Sequence, residues 1–359
     1  MNFFKKKKVL ILGCAGFTGT WMSIFLLLLK AKVYGVSTKE RKNKFFDYLG
    51  LKKKISYYNF DITNFSKLNK IINKLQPDII IHLASQSIIQ EAYRNPLKTI
   101  TNNVIGLSNL LEIVKNSNIK KKLSIFVATS DKCYDPNSKK KHKEDSKLGC
   151  NEIYSATKAC QELISKGYYD AFLKNNKNIF LITCRAGNIL GPGDYNKGRI
   201  IPDVLESLIS STKLKIRNLK STRPWQSILN CCYYYLRIIS HVNKANINFS
   251  NWNVGPNKSF EVKKIIEILE ENKILKKNNY TEKNKKFFAE TEKLQIDNSK
   301  LKKYIGKLKP ENFKNIILFT LKCYLLIEKN KKNSDYLFKT FSEIVNNFIN
   351  KQKNYLNKF

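Results

Sequence analysis

The sequence predicts an α/β protein in which a doubly wound parallel sheet is followed by a smaller C-terminal α/β region. Three observations predict it. Short apolar runs alternate with longer amphipathic runs as far as about residue 186. The spacing Gly13-x-x-Gly16-x-x-Gly19 directly follows the first apolar run. Beyond Gly187 the alternation stops, and Gly191-Pro192-Gly193 marks a loop.

The alternation predicts each element of the first half in order. Short apolar runs rich in β-branched residues predict strands over 9–13, 32–37, 56–60, 78–84, 124–129 and 179–185. Amphipathic runs between them predict helices over 18–31, 65–75, 102–116 and 154–174. A helix between successive strands implies crossover connections, and therefore parallel strands. From Phe313 onward apolar residues recur at helix spacing (Leu337, Phe341, Ile344, Val345, Phe348), which predicts a helical tail that packs on the rest.

The composition excludes several classes of protein. The formal charge is +38, but the lysines form scattered short runs (5–8, 52–54, 120–122, 139–141) beside predicted strands or turns. We interpret them as solvated surface rather than as a nucleic-acid site, with attraction to anionic small molecules as the alternative. The eight cysteines contain no C-x-x-C pair and lie mostly in apolar runs, which predicts reduced thiols in a cytoplasmic protein. With three histidines, none clustered, we expect no metal site.

Residues 9–21 allow two incompatible interpretations. After four lysines, the apolar run ending at Cys14 resembles an export signal, but only five residues separate Lys8 from Cys14, and a signal core needs about 7–15. A membrane span over 9–29 has the length, but would contain three glycines and two threonines. A dinucleotide-binding turn explains more. Gly13 makes the tight turn, Gly16 lets the backbone approach a pyrophosphate, and Gly19 lets the helix pack closely.

The turn places residues 16–19, including Phe17 and Thr18, at a helix N-terminus whose amides would face the phosphates. The end of the second strand, at Ser37, carries no acidic residue for a ribose. Lys39 and Arg41 follow it, so the residues alone leave NADP open. Asp61-Ile62, after the third strand, resembles the pair that brackets adenine in many such proteins, and a helix cap is the alternative for Asp61.

Two stretches carry the candidate chemistry. Thr129-Ser130-Asp131-Lys132 closes a buried strand, and Tyr154-x-x-x-Lys158 opens a helix that follows it. The i, i+4 spacing puts Tyr154 and Lys158 on one helical face. A cationic Lys158 is expected to lower the pKa of Tyr154, ordinarily ~10, so that Tyr154 can take a proton from a substrate hydroxyl. Ser130 is expected to hydrogen-bond the developing carbonyl oxygen.

These motifs resemble the extended short-chain dehydrogenases/reductases, and most closely the CDP-glucose 4,6-dehydratase group. The resemblance spans about residues 8–325. The matching segments are Gly-Phe-Thr-Gly-Thr-Trp (16–21), Gln-Pro-Asp-Ile-Ile-Ile-His-Leu-Ala (76–84), Asn-Val-Ile-Gly (103–106), Thr-Ser-Asp-Lys-Cys-Tyr (129–134), Tyr-Ser-Ala-Thr-Lys-Ala (154–159), Arg-Ala-Gly-Asn-Ile-Leu-Gly-Pro-Gly-Asp (185–194), Arg-Ile-Ile-Pro-Asp (199–203) and Thr-Arg-Pro-Trp-Gln (222–226). Trp21, the Ser-Asp-Lys triplet and Arg-Pro-Trp-Gln are the segments specific to this group.

The resemblance implies a Rossmann domain over 1–186 that binds NAD rather than NADP. It also implies an interleaved nucleotide-sugar-binding region over 187–325, a helical tail over 326–359, and a homo-oligomer, either dimer or tetramer. It adds Leu83, Ala84, Asn103 and Thr129 to the cofactor site. For the substrate it indicates Gln86, Asn188, Arg199, Arg217 and Arg223, the arginines suiting a diphosphate. A solvated strand residue is the alternative for Arg217.

The implied reaction oxidises a nucleotide sugar at C4, removes water across C5–C6 and returns the hydride to C6. Asp131 fits the acid that protonates the departing C6 hydroxyl. Lys132 stands where related dehydratases have Glu as the C5 base. It would act there when neutral, or would position a water instead. The rival hypotheses are a UDP-N-acetylglucosamine 4,6-dehydratase, a 4-epimerase, and a catalytically silent protein that senses NAD(P).

The sequence departs from the group in three places. Residues 227–232 replace the usual ones after Trp-Gln, residues 149–153 replace the usual approach to the catalytic tyrosine, and Ile305-Gly306-Lys307 replaces a Leu-Gly-Trp-like element. These departures leave the nucleotide and sugar preference open.

Overall fold

A central sheet of seven parallel strands organises the protein. The computed structural model describes residues 2–38, 44–138, 140–282 and 293–357. In chain order the strands of the described residues are β1 (Lys8–Leu12), β2 (Lys32–Ser37), β3 (Ser56–Asn59), β4 (Ile79–His82), β5 (Leu123–Ala128), β6 (Ile179–Ala186), β7 (Ile189–Leu190), β8 (Leu214–Ile216), β9 (Thr222–Arg223), β10 (Gln226–Ser227), β11 (Phe249–Val254), β12 (Phe260–Glu261) and β13 (Tyr280–Glu282). The sheet has the order β11-β6-β5-β4-β1-β2-β3, which confirms the predicted doubly wound fold.

Helices cover both faces of this sheet. The α-helices of the described residues are α1 (Phe17–Leu28), α2 (Phe45–Tyr48), α3 (Leu51–Lys54), α4 (Phe65–Leu75), α5 (Ile89–Arg94), α6 (Pro96–Ile100), α7 (Gly106–Asn116), α8 (Ile153–Tyr168), α9 (Ile200–Ile209), α10 (Ile228–Lys244), α11 (Val262–Glu271), α12 (Ser299–Ile305), α13 (Phe313–Asn330) and α14 (Ser334–Leu356). A π-helical segment, Thr101–Ile105, joins α6 to α7, and a second, Tyr169–Leu173, extends α8. Short 3₁₀ turns cover Asn2–Phe4 and Asp131–Cys133.

The two faces of the sheet have separate apolar cores because successive strand residues point to opposite sides. On β1, Val9 and Ile11 join the core formed with α1, α10 and α14, whereas Leu10 and Leu12 join the core formed with α4, α7 and α8. The strand order reverses between β1 and β4, so the carboxyl ends of these strands flank a crevice. The glycine turn after β1 lies at this position.

The C-terminal half contributes to the central sheet as well as to its own core. Strand β11 pairs in parallel with β6, and α10 packs on the first core. The sequence predicted neither of these two elements. Three two-stranded ladders (β7 with β10, β9 with β12, β8 with β13) surround a third core between α9, α11 and α13.

The helical tail is an integral part of the first core. Leu337, Phe341, Val345 and Phe348 of α14 are buried there, against side chains of α1. None of the eight cysteines, all of which lie within the described residues, is in a disulfide; six are buried, while Cys150 is exposed and Cys160 half-buried. Residues 9–29 form β1, the glycine turn and α1 rather than one continuous apolar helix. None of the helices within the described ranges is long and apolar enough to cross a membrane.

Candidate active site

A cavity of about 420 Å³ opens at the carboxyl ends of β1, β4, β5 and β6, and residues from both halves of the chain line it. It collects most of the residues that the sequence assigned to a site. The cofactor candidates that line it are Gly13, Gly16, Phe17, Thr18, Gly19, Leu83 and Thr129, together with the five catalytic candidates Ser130, Asp131, Lys132, Tyr154 and Lys158. The substrate candidates Asn188, Arg199, Arg217 and Arg223 line the other wall.

Six other predicted residues lie outside the lining of this cavity: Ser37, Asp61, Ile62, Ala84, Gln86 and Asn103. The side chain of Asp61 accepts hydrogen bonds from the backbone and hydroxyl of Thr63, while Asn64 caps α4. The Gln86 amide donates to Ile88 O and Thr99 Oγ1, so it holds its own loop. Lys39 and Arg41, which left NADP open, lie outside the described residues.

The geometry of the glycine turn explains all three glycines. Gly13 has φ +89°, and a Cβ there would lie 2.7 Å from Ala84 N. A Cβ at Gly19 would lie only 2.1 Å from Gly13 O, so α1 can approach β1 only with glycine at this position. Gly16 is the N-cap of α1 and lines the cavity. The nearest atom to a Cβ at this position would be Gly13 O, at 3.3 Å.

Trp21 connects this turn to the opposite wall of the cavity. Its indole Nε1 donates to Pro192 O at 2.9 Å, inside the Gly191-Pro192-Gly193 loop. Its ring contacts Phe45 and Phe341, with centroid distances of 5.9 and 5.5 Å. The residue therefore fixes the separation of the two walls.

Ser130 and Asp131 come together where β5 ends. Ser130 Oγ donates to Asp131 Oδ1 at 3.0 Å and accepts from Lys132 N at 3.2 Å. Asp131 is 2% exposed, and burial raises the pKa of its carboxyl, although Lys132, Ser130 and Arg223 oppose the rise. A raised carboxyl pKa favours the protonated form, which is the form that a general acid needs. Lys132, beside it, is half-buried.

Tyr154 and Lys158 lie on one face of α8, as their spacing predicts. Lys158 Nζ is 5.9 Å from the centroid of the Tyr154 ring and donates to Ala128 O at 3.3 Å. Burial lowers the pKa of Lys158 to about 8. Burial also raises the pKa of Tyr154 to about 12, although a hydrogen bond with Ser130 and the charge of Arg199 oppose the rise. The expected lowering by Lys158 is therefore outweighed, because Tyr154 is buried and the ammonium lies over its ring rather than at its hydroxyl.

The cationic wall contains three arginines with distinct partners. Arg199 forms an ion pair with Asp194, with NH1 2.8 Å from Oδ2, and donates from NH2 to Ser87 Oγ at 2.9 Å. Arg217 donates to Gly198 O at 2.9 Å. Arg223 is buried and its charge reaches Asp131. Two anchoring residues, Ser87 and Asp194, were not assigned from the sequence, although Asp194 ends the matched Gly-Pro-Gly-Asp segment.

A buried ion pair supports the floor of the site. Glu162 accepts from Arg185 NH2 at 2.9 Å, from Thr183 Oγ1 at 2.7 Å, and from the hydroxyl of Thr129. Arg185 NH1 also donates to Tyr134 OH at 2.9 Å. Sequence reasoning missed this pair because its two residues are 23 positions apart and, although Arg185 begins a matched segment, Glu162 lies in none. Among the described residues, no group of three or more His, Cys, Asp or Glu side chains could hold a metal ion.

Known proteins share both the sequence pattern and the fold. A family model described as GDP-mannose 4,6 dehydratase matches residues 10–317. The chain is 34% identical over 263 residues to a CDP-glucose 4,6-dehydratase of Salmonella typhimurium, which covers 71% of this chain and 72% of that protein. It is 25% identical over 267 residues to a UDP-glucose 4-epimerase of Mycoplasma genitalium, covering 70% and 76%. The crystal structure of a dTDP-glucose 4,6-dehydratase from Bacillus anthracis, in complex with NAD, has the same fold, with a TM-score of 0.76 at 20% identity over 90% of this chain and 97% of that one.

Proposed function

The chain belongs to the GDP-mannose 4,6 dehydratase family, and on that premise we propose that it is an NAD-dependent nucleotide-sugar 4,6-dehydratase, a hydro-lyase that acts on CDP-glucose. One observation carries the proposal. A single cavity is lined by the glycine turn, by Ser130-Asp131-Lys132 and by the Tyr154/Lys158 pair. An epimerase has no use for Asp131 and Lys132 as an acid–base pair, and a silent binding protein has no use for the catalytic set as a whole.

The residues of the turn fit a dinucleotide. Gly16 leaves the space of a side chain open toward the cavity, and the amides at the start of α1 would hold a pyrophosphate. Tyr154 and Lys158 would hold the nicotinamide half at the other end. Bound NAD would supply the acceptor for the hydride lost from sugar C4, and the same hydride would be returned to C6. We assign residues 1–186 to the cofactor side, 187–325 to the nucleotide-sugar side and 326–359 to the tail.

Proton transfer at the sugar falls to three side chains. Tyr154 removes the proton of the C4 hydroxyl, with Ser130 hydrogen-bonded to the same oxygen. It does so as the phenolate: burial raises the pKa of Tyr154 to about 12, the hydrogen bond with Ser130 and the charge of Arg199 oppose that rise, and the buried ammonium of Lys158 on the same helix face also favours the phenolate. Asp131, whose carboxyl pKa is raised by burial, protonates the C6 hydroxyl as it leaves. Lys132 removes the C5 proton.

The cationic wall is assigned to the diphosphate. Arg223 and Arg199 lie in the matched segments, and a guanidinium can make two parallel hydrogen bonds to phosphate oxygens. Arg199 is already oriented by Asp194 and Ser87, so it keeps its position without substrate. The resemblance to a CDP-glucose dehydratase supports CDP as the nucleotide.

The test is a panel of nucleotide sugars given to purified protein. With CDP-glucose we expect a 4-keto-6-deoxy sugar and no net NADH, since the cofactor is restored in each turnover. Tyr154→Phe should abolish product by removing the C4 proton acceptor, while Tyr93→Phe, an exposed tyrosine, should not. Product from another nucleotide sugar alone would replace the substrate and keep the mechanism. Binding of NAD without any product would favour the silent sensor.

A dimer is the assembly that the surface supports. Tyr93, Leu97 and Ile100 of α5 and α6 are exposed, as is Leu163 of the adjacent α8, at 61%. These residues of α5, α6 and α8 form an apolar stripe, whereas exposed apolar patches on monomers are usually small. A second copy that packs its own stripe against this one would form a contact with two-fold symmetry.

The buried thiols of the described residues, none of which is in a disulfide, agree with a cytoplasmic enzyme.

A further inference from the structure

Gln161 uses both ends of its side-chain amide inside the protein. It lies one turn after Lys158 on α8 and is fully buried. Its Oε1 accepts from Lys158 Nζ at 2.9 Å, and its Nε2 donates to Asn103 O at 2.8 Å. A carbonyl can only accept, so the amide nitrogen must face Asn103. The amide oxygen is therefore directed at Lys158.

The other end of this connection is rigid. Asn103 lies in the π-helical segment between α6 and α7, a local geometry often found at functional sites. Its Oδ1 accepts from Ser85 Oγ at 2.9 Å and from Gln86 N at 2.7 Å, and its Nδ2 donates to Thr157 Oγ1 at 2.9 Å. The loop after β4 and helix α8 thus hold Asn103 through three side-chain hydrogen bonds, and its backbone carbonyl is the group to which Gln161 donates. Lys158 is anchored to that framework through one neutral side chain.

The charge of Lys158 depends on this neutral acceptor. The ionisable groups that face it are His82 on β4, Cys133 in the 3₁₀ turn, and Glu162 and Tyr154 on α8. His82 is neutral, since burial lowers its pKa to about 3. Glu162 already accepts from Thr129, Thr183 and Arg185. In the described part of the chain no carboxylate forms an ion pair with Lys158.

We propose that Gln161 is a positioning residue of the dehydratase, which holds the ammonium of Lys158 beside Tyr154 by tying it to the carbonyl of Asn103. The proposal rests on the catalytic role assigned to Lys158. The bond to Gln161, at 2.9 Å, is shorter than the bond to Ala128 O, at 3.3 Å, so it is the stronger restraint on Nζ. A carboxylate at position 161 would hold the charge more tightly, and an apolar side chain would leave it without this acceptor.

Two substitutions should move the titration of Lys158 in opposite directions. In Gln161→Met a side chain of similar length no longer accepts, so the charged form is less stable and the pKa should fall by about one pH unit from about 8. In Gln161→Glu the pKa should rise by about one pH unit, because a carboxylate stabilises the ammonium. Ser165→Ala is the matched control, since Ser165 is buried on the same helix and its hydroxyl has no partner within the described residues.

Competitive labelling with acetic anhydride, resolved by peptide mass spectrometry, measures the titration of Lys158 without substrate. The alkaline limb of the kcat profile is the second readout, and it should move with the labelling, with kcat at pH 8 about fivefold lower in the Met variant. If the Lys158 pKa shifts in opposite directions in the two variants but the protein acts on no nucleotide sugar, the role of Gln161 is supported and the proposed reaction is rejected. Unchanged labelling and an unchanged alkaline limb in both variants, with turnover intact, would overturn the role of Gln161.

Discussion

Asp131 is the residue in which burial most directly produces reactivity. One of its oxygens accepts from Ser130, while Oδ2 is buried without a partner among the described residues. An unpaired carboxylate oxygen in a dry site makes ionisation costly, which is why the pKa is raised. The same cost that destabilises the charged carboxylate favours the protonated form, which is the form that can give a proton to the leaving hydroxyl.

Replacing Asp131 by Asn should stabilise the protein above neutral pH and abolish dehydration. The folded-state pKa of Asp131 is raised, so its contribution to stability is fully present below the unfolded pKa and is lost as pH rises through the folded pKa. Asn does not ionise and therefore loses no stability in this way. We expect the free energy of unfolding of the variant to exceed that of the unmodified protein by about 0.5–2 kcal/mol at pH 8, and the difference to disappear near pH 4. Thermal unfolding at both pH values measures it.

The neighbouring Asp135 supplies a control of opposite sign. Hydrogen bonding to Asn137 N lowers its pKa, so its contribution is present above the unfolded pKa and lost as pH falls. Asp135→Asn should therefore lower the unfolding temperature at pH 8 rather than raise it. If Asp131→Asn behaved in the same way, its carboxyl would not be destabilised by burial.

Lys132→Ala should separate the two halves of the reaction. Without the C5 base, the sugar is oxidised at C4 but keeps its C5 proton, so the loss of water should slow by about 10²–10⁴-fold. Deuterium exchange at C5 in D₂O and product formation are the measurements, with Lys147→Ala, an exposed lysine, as control. Turnover equal to that of the unmodified protein would contradict the role given to Lys132.

At the scale of elements, two glycines of the turn between β1 and α1 have different roles. Gly19 lets the helix pack on the strand, and Gly16 lets the ligand approach the backbone. Gly19→Ala should cost about 1–3 kcal/mol of stability, because its Cβ would overlap Gly13 O, 2.1 Å away. Gly16→Ala should leave the unfolding temperature nearly unchanged, since its φ of −74° suits any residue, but should weaken NAD binding by obstructing the approach of the phosphates. Calorimetric titration and thermal unfolding of both variants test this. Equal effects of both substitutions on both measurements would refute the division.

The sequence predicts elements well where the residue pattern follows burial. Strand β2 and helix α4 have the predicted bounds, since their apolar residues repeat at the period of the element. Strand β11 escaped prediction because Phe249–Val254 contains buried polar residues. Asn253 accepts from Tyr134 OH and donates to the backbone of His142, bonds that exist only in the folded protein. A buried polar strand gives no apolar run.

The candidate site also contains residues whose roles no sequence motif indicates. The glycine turn and the catalytic side chains follow from motifs, whereas Gln161 has none, and its importance depends on a partner 58 residues away. Gln86 lies near the cofactor candidates in sequence, but its amide bonds to Thr99 turn it away from the cavity lining. Motifs identify the groups that react, and tertiary hydrogen bonds decide which way their neighbours point.

At the scale of the whole molecule, the apolar stripe on α5, α6 and α8 should control assembly. Leu163→Glu places a charge at its centre, and we expect a dimer to become a monomer, because a buried unpaired charge costs several kcal/mol. Leu325→Glu is the control, since Leu325 is 70% exposed on α13, outside the stripe. Sedimentation equilibrium distinguishes the species. A dimer that persists in Leu163→Glu would place the interface elsewhere.

The contacts of Trp21 set an order of events during synthesis. The indole is buried by Phe341, near the far end of the chain, and the sheet beside it needs β11 to cover β6. A ribosome that has made only the first 186 residues has produced the three glycines of the turn and every catalytic side chain, yet α1 lacks the cover that α10 and α14 provide. The nascent chain must then wait for more than 150 further residues before Phe341 closes over the indole.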